Sequence, residues 1–207
     1  MQWYEADVRG VEKEIASRSL TSPVVFYGSS SIRLWTSLSA DLGSDFVLNL
    51  GFGGSTLEAC VYFFERILMS ARPCSLVVYA GDNDLGDGRS SADVVESYRK
   101  FAGKMRTCLP DIEYGFVSIK PSPARIGILD RILETNSAIG REILDQPKAY
   151  FIDVASSMVD QDAKPRQNLY QEDGLHLNAD GYKLWTEIML KHRDQIFNQD
   201  FRRAHEA

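Results

Sequence analysis

The chain has 207 residues, with 23 Lys plus Arg against 29 Asp plus Glu for a formal charge of -6. At that length one hydrophobic core can remove about 70% of the extended chain's surface from water without disulfide staples. Hydrophobic residues at 44% and charged residues at 25% exclude disordered, collagenous and low-complexity classes. No Lys/Arg cluster is suited to tracking a phosphate backbone, so nucleic acid is not an expected partner.

An opening helix is expected over roughly Trp3 to Ala16. The acids Glu5 and Asp7 stand where a secretory signal would carry its basic and apolar regions, so a cytoplasmic location is expected. The first strand is predicted over Val24 to Tyr27, followed by the loop Gly28, Ser29, Ser30, Ser31 and a helical stripe of Ile32, Trp35 and Leu38. The second strand, Phe46 to Leu50, runs into Gly51, Phe52, Gly53, Gly54, Ser55 and then Leu57, Val61, Phe64 and Leu68 at helical spacing. The third, Leu76 to Ala80, leads into Gly81, Asp82, Asn83, Asp84. A helix then carries Val95, Tyr98, Ala102, Met105 and Leu109, with Ser90 and Asp93 spaced as a capping box.

The fourth strand, Ile112 to Ile119, precedes Lys120, Pro121, Ser122, Pro123, Ala124, Arg125, either a stiff connector or a border of a binding pocket. A third stripe follows through Leu129, Leu133, Asn136, Ile139 and Ile143. The fifth strand, Tyr150 to Val154, comes before Asp173, Gly174, Leu175, His176 and a last helix bearing Leu184, Trp185, Ile188 and Met189. Short β-rich runs alternating with amphipathic helices predict βαβ units: an α/β fold with a five-stranded, mostly parallel sheet. With no repeat, linker or compositional break, one domain over residues 1–207 is expected. The apolar runs fall far short of the roughly 18 residues that a membrane span needs, so no integral membrane association is expected.

Cys60, Cys74 and Cys108 are odd in number and lack Cys-x-x-Cys spacing. They suit small buried hydrophobes in a reducing compartment. The chemistry of an open parallel sheet lies beyond the carboxyl ends of its strands, so the loops there carry the candidate site. The glycine loop does not read as a dinucleotide fingerprint, because Thr56 takes the place of its third glycine. The run Gly81 to Asp84 does not match the order of a calcium loop. Of three histidines, His176 is the best base, since Asp173 can reach its imidazole across a glycine turn and set the tautomer. A serine, a glycine N–H, an asparagine amide and an Asp/His pair are together what a serine esterase needs: an activated hydroxyl, a base, and donors for an oxyanion.

These loops resemble the four motif blocks of the GDSL/SGNH hydrolase family, over about Val24 to Trp185, with Ser30, Gly54, Asn83 and His176 in the family's order. The resemblance implies a three-layer α/β/α sandwich similar to flavodoxin and hydrolysis of a small-molecule ester with no metal or organic cofactor. It implies Ser30 as nucleophile, His176 as general base and acid, and Asp173 as the group orienting it. It also implies an oxyanion hole made by the N–H groups of Ser30 and Gly54 with the Asn83 amide. The first block departs from Gly-Asp-Ser-Leu, with Ser29 and Ser31 in place of the Asp and Leu, which leaves those two serines as alternatives to Ser30. An α/β-hydrolase elbow, G-x-S-x-G, would need glycine where Ile32 stands. The rival class is a flavodoxin-like protein that binds a flavin or nucleotide phosphate at the serine loop, and a non-catalytic family member is a second rival. Short connections leave little chain for a lid, pointing to small or short-acyl esters.

Overall fold

The fold is set by five short strands that bury both faces, as parallel strands between helices must. The computed structural model describes residues 1–205. Strands β1 (Val24–Gly28), β2 (Val47–Gly51), β3 (Ser75–Tyr79), β4 (Glu113–Val117) and β5 (Ala149–Ile152) pair in the order β2-β1-β3-β4-β5. Every pairing is parallel. The helices are α1 (Glu5–Arg18), α2 (Ser30–Arg33), α3 (Leu38–Leu42), α4 (Leu57–Tyr62), α5 (Asp82–Gly86), α6 (Ser91–Cys108), α7 (Leu129–Leu144), α8 (Ala179–Lys191), α9 (Arg193–Ile196) and α10 (Gln199–His205).

Alternation along the strands divides the core in two. Val25 and Tyr27 of β1 face a cluster completed by α1, α4, α6 and α7. Val24 and Phe26 face the other, with Trp35, Leu38, Trp185 and Phe201. The result is the expected three-layer α/β/α sandwich. Strand β1 connects to β2 on one side while β3 lies on its other side, so the chain reverses direction across the sheet between β1 and β3. The crevice outside the carboxyl ends of those two strands is where such sheets take ligands. Gly28 closes β1 there with φ +136°, and a Cβ would stand 1.9 Å from the Tyr79 carbonyl oxygen. The approach of β1 to β3 at the crevice therefore requires glycine.

Three local expectations are corrected. The stripe from Leu57 to Leu68 is not one helix: α4 ends at Tyr62 and a π-helical turn spans Glu65–Met69. The wider turn lets the adjacent Phe63 and Phe64, at 1% and 0% exposure, both enter the core. The fourth strand is shorter than Ile112 to Ile119, because Ile119 leaves the ladder. Its N–H donates to Asn136 Oδ1 at 2.7 Å and its carbonyl accepts from Asn136 Nδ2 at 2.8 Å. Asn136 thus sits on the buried stripe of α7 because its amide satisfies the end of β4, whereas Leu133 of that stripe is 48% exposed. The stripe of Ile32, Trp35 and Leu38 is likewise divided between α2 and α3, with all three side chains buried. The Ser90/Asp93 capping box forms as expected. Among the described residues no helix is long and apolar enough to cross a membrane.

Candidate active site

The serine loop leaves β1 and turns at once into α2, which buries two of its three serines. Ser29 and Ser31 are 2% and 1% exposed, while Ser30 is half-buried at the start of α2. Tyr182 of α8 donates its hydroxyl proton to the Ser31 carbonyl at 3.0 Å and pins the helix to the other layer. Ser30 Oγ lies 3.2 Å from His176 Nε2. His176 Nδ1 lies 2.6 Å from Asp173 Oδ2.

The Asp173 turn is built to hold its carboxylate. Oδ1 accepts the N–H groups of Leu175 and His176, each at 2.9 Å, and Gly174 takes φ +64° between them. Those two N–H groups, with the imidazole contact, draw the Asp173 carboxyl down to about 2. An anion thus faces Nδ1, which favours the tautomer that carries its proton on Nδ1 and leaves Nε2 open toward Ser30.

The glycine loop is gripped from both sides. Gly53 N–H donates to Asp7 Oδ2 of α1 at 2.8 Å, and Tyr4 donates to the Gly54 carbonyl at 3.2 Å. On the far side Leu57 N–H donates to Asp84 Oδ2 at 2.7 Å. Burial raises the Asp84 carboxyl above its ordinary value. Asn83, between Asp82 and Asp84, donates through Nδ2 to the Ser55 carbonyl at 3.0 Å and so holds its amide against the glycine loop. Ser30, Gly54, Asn83 and His176 line one cavity of about 510 Å³, walled also by Trp3, Asp7, Arg33 and Leu175. Asp173 stands behind His176, off the cavity wall.

The segment Lys120 to Arg125 stays off that wall and acts as a strut. Lys120, 1% exposed, sends Nζ to Asp82 Oδ2 at 2.5 Å and to the Tyr79 hydroxyl at 3.3 Å. Arg125 Nε comes within 3.5 Å of Asp82 Oδ1. Further along, Ala124 N–H donates to the Gly174 carbonyl at 3.0 Å, and the Tyr170 hydroxyl donates to the Pro121 carbonyl. The strut therefore ties the turn carrying Asn83 to the turn carrying His176.

The residues 19–184 match the model of the GDSL-like lipase/acylhydrolase family. The chain belongs to this family. A GDSL-like lipase from Bacteroides thetaiotaomicron superposes with TM-score 0.74 at 20% identity, covering 89% of this chain and 97% of that one. A family 3 carbohydrate esterase from Clostridium thermocellum gives 0.63 at 18% identity, covering 83% and 95%. A protein described as a platelet activating factor from Streptococcus pneumonia gives 0.79 at 19%, covering 92% and 94%. Identities this low speak for the shared fold alone. No curated protein matches the chain. As a GDSL-like acylhydrolase the protein is a hydrolase acting on esters.

Sequence patterns for this GDSL-like hydrolase did not reveal what its N-terminal segment does, a 3-10 turn over Gln2–Tyr4 followed by α1. Trp3, Tyr4 and Asp7 all reach the site, yet an amphipathic N-terminal helix carries no mark of its partner. Arg33 had a usable signal, the three-residue spacing from Ser30 that places two side chains on one helical face. The cysteines offer no rival nucleophile at this rim. Cys60 is buried in the core with its thiol pushed up by desolvation, and burial pushes Cys74 up to about 12.

Proposed function

We propose that residues 1–207 act as one domain that hydrolyses small or short-acyl carboxylic esters through an acyl-enzyme on Ser30. Ser30 Oγ attacks the ester carbonyl carbon while His176 Nε2 takes its proton, and Asp173 stabilises the imidazolium that results. Collapse of the tetrahedral intermediate expels the alcohol, which receives that proton from His176. Water then attacks the acyl-enzyme by the same proton path, releasing the acid and restoring Ser30. The N–H groups of Ser30 and Gly54, with the Asn83 amide, face the developing oxyanion. The first turn of a helix has N–H groups without intrahelical acceptors, which suits Ser30 to that second duty. No step calls for a metal or an organic cofactor.

The observation that carries this assignment is the unbroken line from Asp173 to His176 to Ser30, 2.6 Å and 3.2 Å long, ending in the cavity that Asn83 and Gly54 also line. A cavity of about 510 Å³ is of a size for small ligands. The test is intact-mass analysis after exposure to a fluorophosphonate, comparing the native protein with Ser30→Ala and mapping the modified peptide. A single adduct on Ser30, absent from the variant, is the expected result. An unlabelled but folded native protein would turn the assignment toward a non-catalytic binding protein, and an adduct on Ser29 or Ser31 would move the nucleophile.

A further inference from the structure

We propose that Arg33 selects the substrate: its guanidinium receives an anionic group of the ester, at the junction between the catalytic cavity and a second cleft along α1. The proposal rests on the assignment of Ser30 as nucleophile. Arg33 ends α2 three residues after Ser30, and side chains at that spacing share a helix face with Cβ atoms about 5–6 Å apart. It lines the catalytic cavity together with Ser30 and His176. Two glycines of the second loop make its place. A Cβ on Gly51 would stand 2.2 Å from the Arg33 backbone nitrogen, and one on Gly53 would stand 3.1 Å from Arg33 Nη2. The backbone of α2 thus rests directly on β2, and the guanidinium lies across the loop that presents Gly54.

Arg66, Arg89 and Arg99 are each paired with glutamates. Among the described residues Arg33 makes no ion pair and no side-chain hydrogen bond, and it is the one lysine or arginine on the wall of the catalytic cavity. Asp7 also approaches Gly53, but its Oδ2 accepts the Gly53 N–H and it forms no ion pair with Arg33. A planar guanidinium with its donors uncommitted suits bidentate capture of a carboxylate or phosphate.

The second cleft, of about 560 Å³, shares Asp7 and Arg33 with the first and continues past Gly10 and Glu14 of α1. Gly10 sits inside a helix, where glycine is the poorest residue short of proline. Nothing lies within 4 Å of the Cβ it lacks, so packing does not demand glycine at this place on the cleft wall. Glu14 would repel an anion deeper along the cleft, and Arg18 at its far end is bound to the Asp45 carbonyl at 2.6 Å. An anion is therefore held at Arg33 in preference to positions deeper along the cleft, on the side of the guanidinium away from the Asp7 carboxylate that approaches the same Gly53.

The experiment compares charged and neutral esters of matched shape. For charge on the acyl side the pair is para-nitrophenyl hydrogen glutarate and para-nitrophenyl valerate. For charge on the alcohol side it is para-acetoxybenzoate and para-acetoxybenzamide. The native enzyme is expected to prefer the charged member of one pair, with a preference that shrinks as salt is raised. Arg33→Gln is expected to lower the charged-to-neutral ratio of kcat/KM by about tenfold or more, chiefly through KM, and Arg33→Lys to recover part of it. A native enzyme without charge preference, or a ratio moved less than about twofold by Arg33→Gln, overturns the proposal. Should Arg33→Gln fail to fold, Arg33→Lys and the salt dependence of the native enzyme decide. Fluorophosphonate labelling of the same preparations separates the two assignments. A Ser30 adduct without charge preference removes Arg33 alone, and no adduct with no turnover of any ester removes the nucleophile and Arg33 with it.

Discussion

Two pairs of ionisable side chains stand at the same end of the sheet, and their surroundings assign them different work. Asp82 and Lys120 lie behind Asn83 with side chains 5% and 1% exposed. His176 lines the cavity with Asp173 behind it, their side chains 28% and 47% exposed. A pair sealed from water cannot exchange protons with a substrate, and either charge left alone there is heavily penalised, so such a pair holds shape. A pair open to water contributes little to stability, but its imidazole can meet a ligand and change charge. The strut from Lys120 to Ala124 joins them: the buried pair holds the turn of Asn83, and the same segment bonds the turn of His176 through Gly174.

The largest effect should come from breaking the open pair chemically. Asp173→Asn would present an amide to Nδ1 and favour the wrong imidazole tautomer, with kcat falling by about 10,000-fold, as in other serine triads, and thermal melting little changed. Retention of full activity by the folded variant would remove Asp173 from the mechanism. The sealed pair should respond in the opposite way. Lys120→Met leaves the Asp82 carboxylate buried with the Tyr79 hydroxyl at 3.4 Å and Arg125 Nε at 3.5 Å as its remaining partners, and urea unfolding should show a loss of about 3–5 kcal/mol. Replacing both partners, as Asp82→Leu with Lys120→Met, should restore much of that stability. If the single variant unfolds no more easily than the native protein, the strut is not structural.

Asn83 lies between the two pairs and tests their boundary. Asn83→Ala should cost about 100- to 1,000-fold in kcat through loss of an oxyanion donor. Its KM and melting temperature should change far less, which steady-state kinetics with calorimetry would show. The smallest effect concerns pH. The Asp173 carboxyl is drawn down to about 2 in the folded protein, below the ordinary aspartate value of about 3.9. Its stabilising contribution is therefore fully present above about pH 4 and is lost as pH falls through about 2. Urea midpoints of the native protein and Asp173→Asn should accordingly converge over that interval. A gap that stays constant would mean that the carboxylate adds nothing to folding.

Much of this was legible in the sequence because it is local. Strand and helix order follow from runs and periods a few residues long, and Ser90 with Asp93 shows a cap within one turn. Asp173 and His176 are likewise three residues apart, so their contact needs only the glycine turn between them. The four motif blocks were legible by resemblance, and the cavity brings all four together. Ser29, Ser30 and Ser31 are alike in sequence but differ in the fold: packing takes the outer two into the molecule and leaves Ser30 half-buried with its Oγ 3.2 Å from His176 Nε2.

What the sequence by itself determined is the alternation that makes a parallel α/β sheet, and the residue types gathered at its loops. Tertiary structure alone decided which distant residues close on that rim. The contact of Ser30 with His176, 146 positions apart, the reach of Asp7 to Gly53, and the burial of Lys120 against Asp82 depend on how strands order themselves across the sheet. The physical reason is that hydrophobic patterning assigns each segment a face without naming its partner. A lysine 38 residues from an aspartate leaves no periodic trace of the pair it forms, and an arginine one turn from a serine shows its free guanidinium only when every other acid has been placed.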